Sequence, residues 1–151
     1  MRILVTGGAG FMGSHLTARL VDRGHDVFVL DNLSTGTMKN LSHIQSRQNL
    51  KILRADIRRI PPSILRRLRR IDGVCHLAAM TSVQESVRNA VPTTEVNLIG
   101  TLRVLEAARK LRAERVVYAS SAAVYGTPRA LPITEDADMA PISPYGSSKA
   151  A

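Results

Sequence analysis

Apolar residues arrive along this chain in short bursts closed off by glycine or charge. Arg2–Thr6, Asp26–Asp31, Leu50–Arg54, Gly73–Leu77 and Arg115–Ala119 are each such a run. Their cores are continuously apolar where they do not alternate, the pattern of strands covered on both faces. Between them the spacing changes to that of helices. One helix is predicted over Phe11–Arg23, with Gly24 as its stop. A second lies within Pro61–Ile71, where Ile64, Leu65, Leu68 and Ile71 share one face and arginines take the other. A third, long helix is predicted over Thr93–Leu111. Residues 126–144 hold four prolines and read as the one long loop. Strands alternating with helices imply right-handed crossovers and an α/β fold, a doubly wound parallel sheet with helices on both faces. Ligands of such a sheet bind at the carboxyl ends of its strands. No internal domain boundary or repeat is visible.

Composition narrows the class. At 151 residues, 44% of them hydrophobic and 22% charged, the chain reads as one globular domain. No apolar stretch is long enough to span a membrane. The opening run MRILVTGG is broken by glycine too early for a signal peptide, so a cytoplasmic location is expected. The single cysteine, Cys75, allows no internal disulfide and no cysteine-based metal site, and no metal is expected. Cys75 reads as a small buried apolar side chain.

The net charge of +9 raises the question of nucleic acid. Arg54, Arg58, Arg59, Arg66, Arg67, Arg69 and Arg70 cluster, but aromatic residues make up only 3% of the chain and none is interleaved for base stacking. The solvated face of an amphipathic helix is the reading taken, with no specific nucleic-acid partner.

The chemistry begins at Thr6-Gly7-Gly8-Ala9-Gly10-Phe11-Met12-Gly13, between the first strand and the first helix. Glycines there let backbone approach a pyrophosphate, whose charge meets free N–H groups at a helix N-terminus. Asp31 ends the second strand, about twenty residues on, where a carboxylate can accept from ribose hydroxyls and repels a 2′-phosphate. NAD is therefore expected over NADP. Asp56, after the third strand, is placed to accept from an adenine amino group.

Near the other end stand Tyr145 and Lys149, four apart and so on one helix face. A tyrosine is a poor base at neutral pH until a nearby ammonium favours its phenolate. So assisted, it can take a proton from a sugar hydroxyl while hydride leaves the carbon. Ser120-Ser121 follow the fifth strand, where a serine can hydrogen-bond the reacting oxygen.

Taken in order, these residues resemble the extended short-chain dehydrogenase/reductases, the NAD-dependent epimerase/dehydratase family with its Rossmann-like fold. The glycine motif, Asp31-Asn32-Leu33, Asp56-Ile57, His76-Leu77-Ala78-Ala79 and Val96-Asn97 with Gly100-Thr101 each match a family segment. So do Tyr118-Ala119-Ser120-Ser121-Ala122-Ala123-Val124-Tyr125-Gly126 and Ser143-Pro144-Tyr145-Gly146-Ser147-Ser148-Lys149. The resemblance implies Ser121, Tyr145 and Lys149 as catalytic residues, with Ser121 and Tyr145 touching the sugar. It implies an NAD site made by Gly7, Gly10, Phe11, Met12, Gly13, Asp31, Asn32, Leu33, Ser34, Thr35, Gly36, Asp56, Ile57, Leu77, Ala78, Ala79, Met80, Thr81, Asn97, Tyr145 and Lys149. Family dehydratases usually carry an acid just after the catalytic serine or threonine; Ala122 stands there, which points to epimerisation. The implied substrate is a UDP-hexose, with UDP-glucose and UDP-galactose interconverted through a 4-keto sugar.

Family members run to about twice this length. The resemblance thus implies that residues 1–151 are an incomplete NAD-binding Rossmann domain, stopped before the last strands and lacking a C-terminal substrate domain. It also implies a homodimer through the 93–111 helix, weakened because the partner helix starting at Tyr145 is cut short. Two functions from different classes follow: an epimerase, or its cofactor-binding half; and a dinucleotide-binding module or inactive fragment without chemistry. The intact Ser121, Tyr145 and Lys149 set favours the first.

Overall fold

A computed structural model describes every residue, Met1–Ala151. The chain forms two compact units where the sequence shows no boundary: Met1–Ala78 with Gly100–Ala119, and Ala79–Ile99 with Ser120–Ala151.

The first unit is the sheet. Its strands are β1 (Arg2–Thr6), β2 (Asp26–Asp31), β3 (Leu50–Arg54), β4 (Gly73–His76) and β5 (Arg115–Tyr118). All neighbours are parallel, in the order β3-β2-β1-β4-β5. This is the α/β, Rossmann-like doubly wound sheet expected from the alternating pattern. The order turns back on itself beside β1, so the switch point falls between β1 and β4. The register sets Thr6 beside Leu30 on one side and His76 on the other.

β1 and β2 are the most apolar strands because both of their faces are covered: residues 3–6 of β1 and 27–31 of β2 are buried. Ile3, Val5, Val27, Val29 and Leu50 pack in one core with Ala9, Val21, Leu41 and Ile44. Helix α1 (Phe11–Asp22) contributes Val21 and ends as expected, with Gly24 at φ +77° and its N–H on the Val21 carbonyl. β4 and β5 stop one residue short of their expected ends. The ladder continues in hydrogen bonds alone, from Leu77 N–H to the Thr6 carbonyl and from Ala119 N–H to the His76 carbonyl.

Helix α2 (Pro62–Leu68) buries Ile64 and Leu68 and exposes its arginines. Arg66, Arg67 and Arg69 edge an open cleft of about 460 Å³ with Phe28, Lys51, Leu53 and Ser63. The Phe28 ring is already faced by the Arg2 guanidinium at 4.7 Å and the Lys51 ammonium at 5.8 Å. Cys75, expected to be buried, is half-buried, and that burial raises its thiol pKa above the ordinary value.

The predicted long helix is interrupted. Helices α3 (Val83–Arg88) and α4 (Ala90–Thr94) belong to the second unit, followed by a π-helical turn at Glu95–Ile99. The regular helix α5 (Gly100–Lys110) belongs to the first unit. Apolar periodicity cannot reveal a π turn, since it changes the winding without changing residue type. The second unit is completed by the loop and helix α6 (Pro144–Ala150). No helix is long and apolar enough to cross a membrane.

Leu68 is fully buried while Arg67 on the same helix is exposed. Leu68→Ala is expected to cost about 2–5 kcal/mol in urea unfolding, and Arg67→Ala to stay within about 0.5 kcal/mol of the parent.

Candidate functional site

The glycine loop turns at Gly7, whose φ of +70° only glycine adopts comfortably. Its N–H bonds the Leu30 carbonyl, and Gly10 N–H bonds back to the Gly7 carbonyl. A Cβ on Gly7 would lie 2.7 Å from Ala78 N, and one on Gly13 would run into the Gly7 carbonyl oxygen. Helix α1 therefore starts in backbone contact with the end of β1. Gly10, its N-cap, has no capping side chain, and the first turn holds no acid. The N–H groups of Phe11, Met12 and Gly13 find no acceptor within the chain. These donors, with the positive end of the helix dipole, suit a pyrophosphate.

Asp31 does more than its strand-end position suggests. It is 8% exposed, and its two oxygens accept from Ala9 N–H at 2.9 Å and Leu33 N–H at 2.8 Å. One carboxylate thus ties the glycine loop to Leu33, which is held at φ +61°. A clasp not foreseen from sequence adds to this: Thr37 N–H and the Asn40 amide both donate to the Ala9 carbonyl. Gly36 lies against Ala9, where a Cβ would come within 2.9 Å of the Ala9 carbonyl carbon. Ser34 and Thr35 are exposed, and Ser34 N–H donates to the Asn32 side-chain oxygen.

Asn32 also donates to Asp56 at 3.1 Å. Asp56 accepts from Arg58 through its backbone N–H, Nε and Nη2 at 2.8, 3.1 and 2.9 Å. The Arg58 side-chain hydrogen bonds hold the Asp56 pKa down at about 2 against the upward pull of burial. Ile57 follows, buried, in a short 3-10 turn capped by that carboxylate. At the end of β4, Ala78 N–H donates to Thr6 Oγ1 at 3.3 Å.

In the second unit the tyrosine–lysine motif lies on α6. Ser143 caps it by accepting from Gly146 N–H, and Pro144 supplies the first helical position. Tyr145 and Lys149 are both buried, and burial pushes the Lys149 ammonium pKa below its ordinary value. Gly146 explains itself: a Cβ there would stand 2.6 Å from the Ala123 carbonyl oxygen. The short turn that Ser121 opens, capped by its own hydroxyl on Ala123 N–H, thereby comes up against α6 one residue after the tyrosine. Ser120 Oγ reaches the Lys149 carbonyl at 3.4 Å.

Asn97, in the π turn, is 1% exposed. Its amide accepts from Met80 N–H and donates to the Met80 carbonyl and to Ser148 Oγ. Ser148 in turn donates to the Tyr145 carbonyl, and Ser86 Oγ accepts from Tyr145 N–H. Asn97 thus staples the residues after β4 to the tyrosine helix. Ser86 was not anticipated, because a serine that bonds only backbone carries no motif of its own, and Ser148, although inside the tyrosine–lysine motif, has no spacing that marks it as the partner of Asn97.

Comparison with known proteins shows the family and the fold. A family model described as GDP-mannose 4,6 dehydratase matches residues 4–151. The putative UDP-glucose 4-epimerase of Methanocaldococcus jannaschii is 41% identical over 148 residues, 97% of this chain and 47% of that protein. A UDP-glucose 4-epimerase from Stenotrophomonas maltophila, solved with NAD and formylated UDP-arabinopyranose, superposes with a TM-score of 0.90 at 33% identity. It covers 99% of this chain and 46% of that one. The dTDP-glucose 4,6-dehydratase DesIV from Streptomyces venezuelae, solved with NAD, gives 0.90 at 37% identity, covering 99% and 48%. The chain spans about half the length of the relatives it matches.

The Asp56 clamp is open to direct titration. Since its folded pKa of about 2 lies below the ordinary 3.8, the clamp stabilises the fold above that range, and the benefit is lost as pH falls through 2. Carboxyl-carbon NMR should place the Asp56 midpoint near 2, and Arg58→Leu should move it up toward 3.8.

Proposed function

The chain belongs to the NAD-dependent epimerase/dehydratase family, and we propose that it is the NAD-binding part of a nucleotide-sugar 4-epimerase acting on a UDP-hexose. On this reading residues 1–151 are one NAD-binding Rossmann domain. The observation that carries it is the second unit, where Tyr145 and Lys149 are buried on one short helix and Gly146 admits the Ser121 turn beside them.

The pyrophosphate is held by the free N–H groups at the start of α1, reached over Gly7, Gly10 and Gly13. Asp31, already fixed by two backbone donors, keeps acceptor capacity for a ribose and repels a 2′-phosphate. Asn32 to Gly36 and the Asp56–Ile57 pair line the adenosine end. Leu77 to Thr81, with Asn97 holding Met80, lie along the rest. NAD, when bound, supplies the hydride acceptor and returns the hydride. Tyr145 takes the proton of the sugar 4-hydroxyl and returns it to the same oxygen after the 4-keto sugar has turned its other face to the hydride. Lys149, one turn further along the same helix, serves the ribose and the tyrosine, and Ser121 donates to the reacting oxygen. Ala122, exposed beside Ser121, offers no carboxylate for the extra proton transfer of dehydration. The protein associates as a homodimer through the 93–111 region, where Leu102 and Leu105 are exposed one turn apart.

Calorimetry should find NAD bound more tightly than NADP, and Asp31→Asn should narrow the gap; equal affinities in the parent would sink the assignment.

When the C-terminal half of a related epimerase is supplied, UDP-glucose and UDP-galactose should interconvert without net oxidation. Tyr145→Phe is expected to lower the rate by about a hundredfold or more, and Ser121→Ala by less. NAD binding with no interconversion would assign a dinucleotide-binding module instead, and turnover indifferent to Tyr145→Phe would remove the proposed base.

A further inference from the structure

His76 ends β4, is 1% exposed, and is assigned no task by the reading above. It stands in register beside Thr6, the last residue of β1. A buried neutral imidazole has one nitrogen that donates and one that accepts, and both need partners. Here Nδ1 lies 2.5 Å from Thr6 Oγ1, and Nε2 lies 2.9 Å from Thr101 Oγ1 in the first turn of α5. The Tyr118 ring flanks the imidazole at 5.8 Å.

Thr6 determines which nitrogen carries the proton. Its hydroxyl sits on a fully buried side chain and has one hydrogen to place. The oxygen already accepts from Ala78 N–H, which cannot take that hydrogen. Nδ1 is the acceptor within reach. Nδ1 is then unprotonated, Nε2–H donates to Thr101, and every member of the chain Ala78 N–H, Thr6, His76, Thr101 is satisfied in one direction.

We propose that His76 is a positioning residue of the dinucleotide cradle. Held as the Nε2–H tautomer, it draws the Thr6 hydroxyl proton to itself and turns the Thr6 oxygen toward Ala78 N–H. That fixes the residues after β4 against Gly7, where the two backbones already abut: a Cβ on Gly7 would be 2.7 Å from Ala78 N and 2.8 Å from its Cα. A shift of Ala78 is therefore a shift of the surface on which the glycine loop rests. The proposal rests on the reading of that loop as an NAD cradle, but the relay itself is a property of the protein without its cofactor.

Three measurements test it. Long-range ¹⁵N NMR of the imidazole, assigned by loss of the signal in His76→Gln, should show protonated Nε2 and bare Nδ1 at neutral pH. A protonated Nδ1 in either the neutral or the doubly protonated ring overturns the proposal. Calorimetry with NAD should find Thr6→Val weakened about tenfold and Thr6→Ser close to the parent. His76→Leu added to Thr6→Val should cost nothing more, since both break one relay. NAD binding by Thr6→Val equal to the parent overturns the proposal. If the parent itself does not bind NAD, the cradle reading fails separately. The relay is then judged by exchange of the Ala78 amide, expected to be slow in the parent and in Thr6→Ser and faster in Thr101→Val; unchanged exchange in Thr101→Val overturns it. Should Thr6→Val not fold, the tautomer and the Thr101→Val exchange rate still decide.

Discussion

Two stretches of backbone meet at the end of β1 with no side chain between them, and the sheet unit is arranged around that meeting. Gly13 brings the first turn of α1 onto the Gly7 carbonyl, and Gly7 brings the loop onto Ala78. A helix that starts this close to a strand end delivers its unpaired N–H groups to the carboxyl edge of the sheet, beside the switch point. The remaining groups of the loop hold that approach in place. Asp31 ties Ala9 to Leu33, and the Ala9 carbonyl receives Thr37 and Asn40. The placing of those N–H groups is thus set by the protein's own bonds.

The second unit solves a related problem with the same means. Its loop carries little regular structure, yet Gly126, at φ +60°, rests against the Ala140 carbonyl, and Gly146 against the Ala123 carbonyl. These contacts close the proline-rich segment onto itself and keep the Ser121 turn beside α6. Asn97, Ser148 and Ser86 then fix the backbone of Tyr145 from its N–H to its carbonyl. A tyrosine whose helix is held on both sides has little freedom to turn.

The fold was legible because continuous apolar runs and helical spacing are direct images of burial. The strand starts, α1 and the Gly24 stop all follow from that pattern. The π turn at Glu95–Ile99 was not legible, since it changes the winding without changing residue type, and the bonds its Asn97 amide makes to the Met80 backbone leave no periodic trace. Motif residues such as Gly7, Asp31 and Tyr145 announced themselves by type and spacing. The residues that hold them did not. Ser86 and Asn40 look like any surface polar residue until the carbonyls and N–H groups they satisfy are in place, and Arg58 looks like one more member of a basic cluster until it closes on Asp56.

The glycines also differ in whether a mistake at them could be mended. A Cβ on Gly8 would press on the two methyls of Val29 at 2.8 Å, and a smaller residue at that position would make room. A Cβ on Gly13 or Gly7 meets main chain, and no second substitution can shrink a peptide group. Damage at Gly8 is therefore open to genetic suppression within the core, whereas damage at Gly7 or Gly13 has reversion as its only remedy.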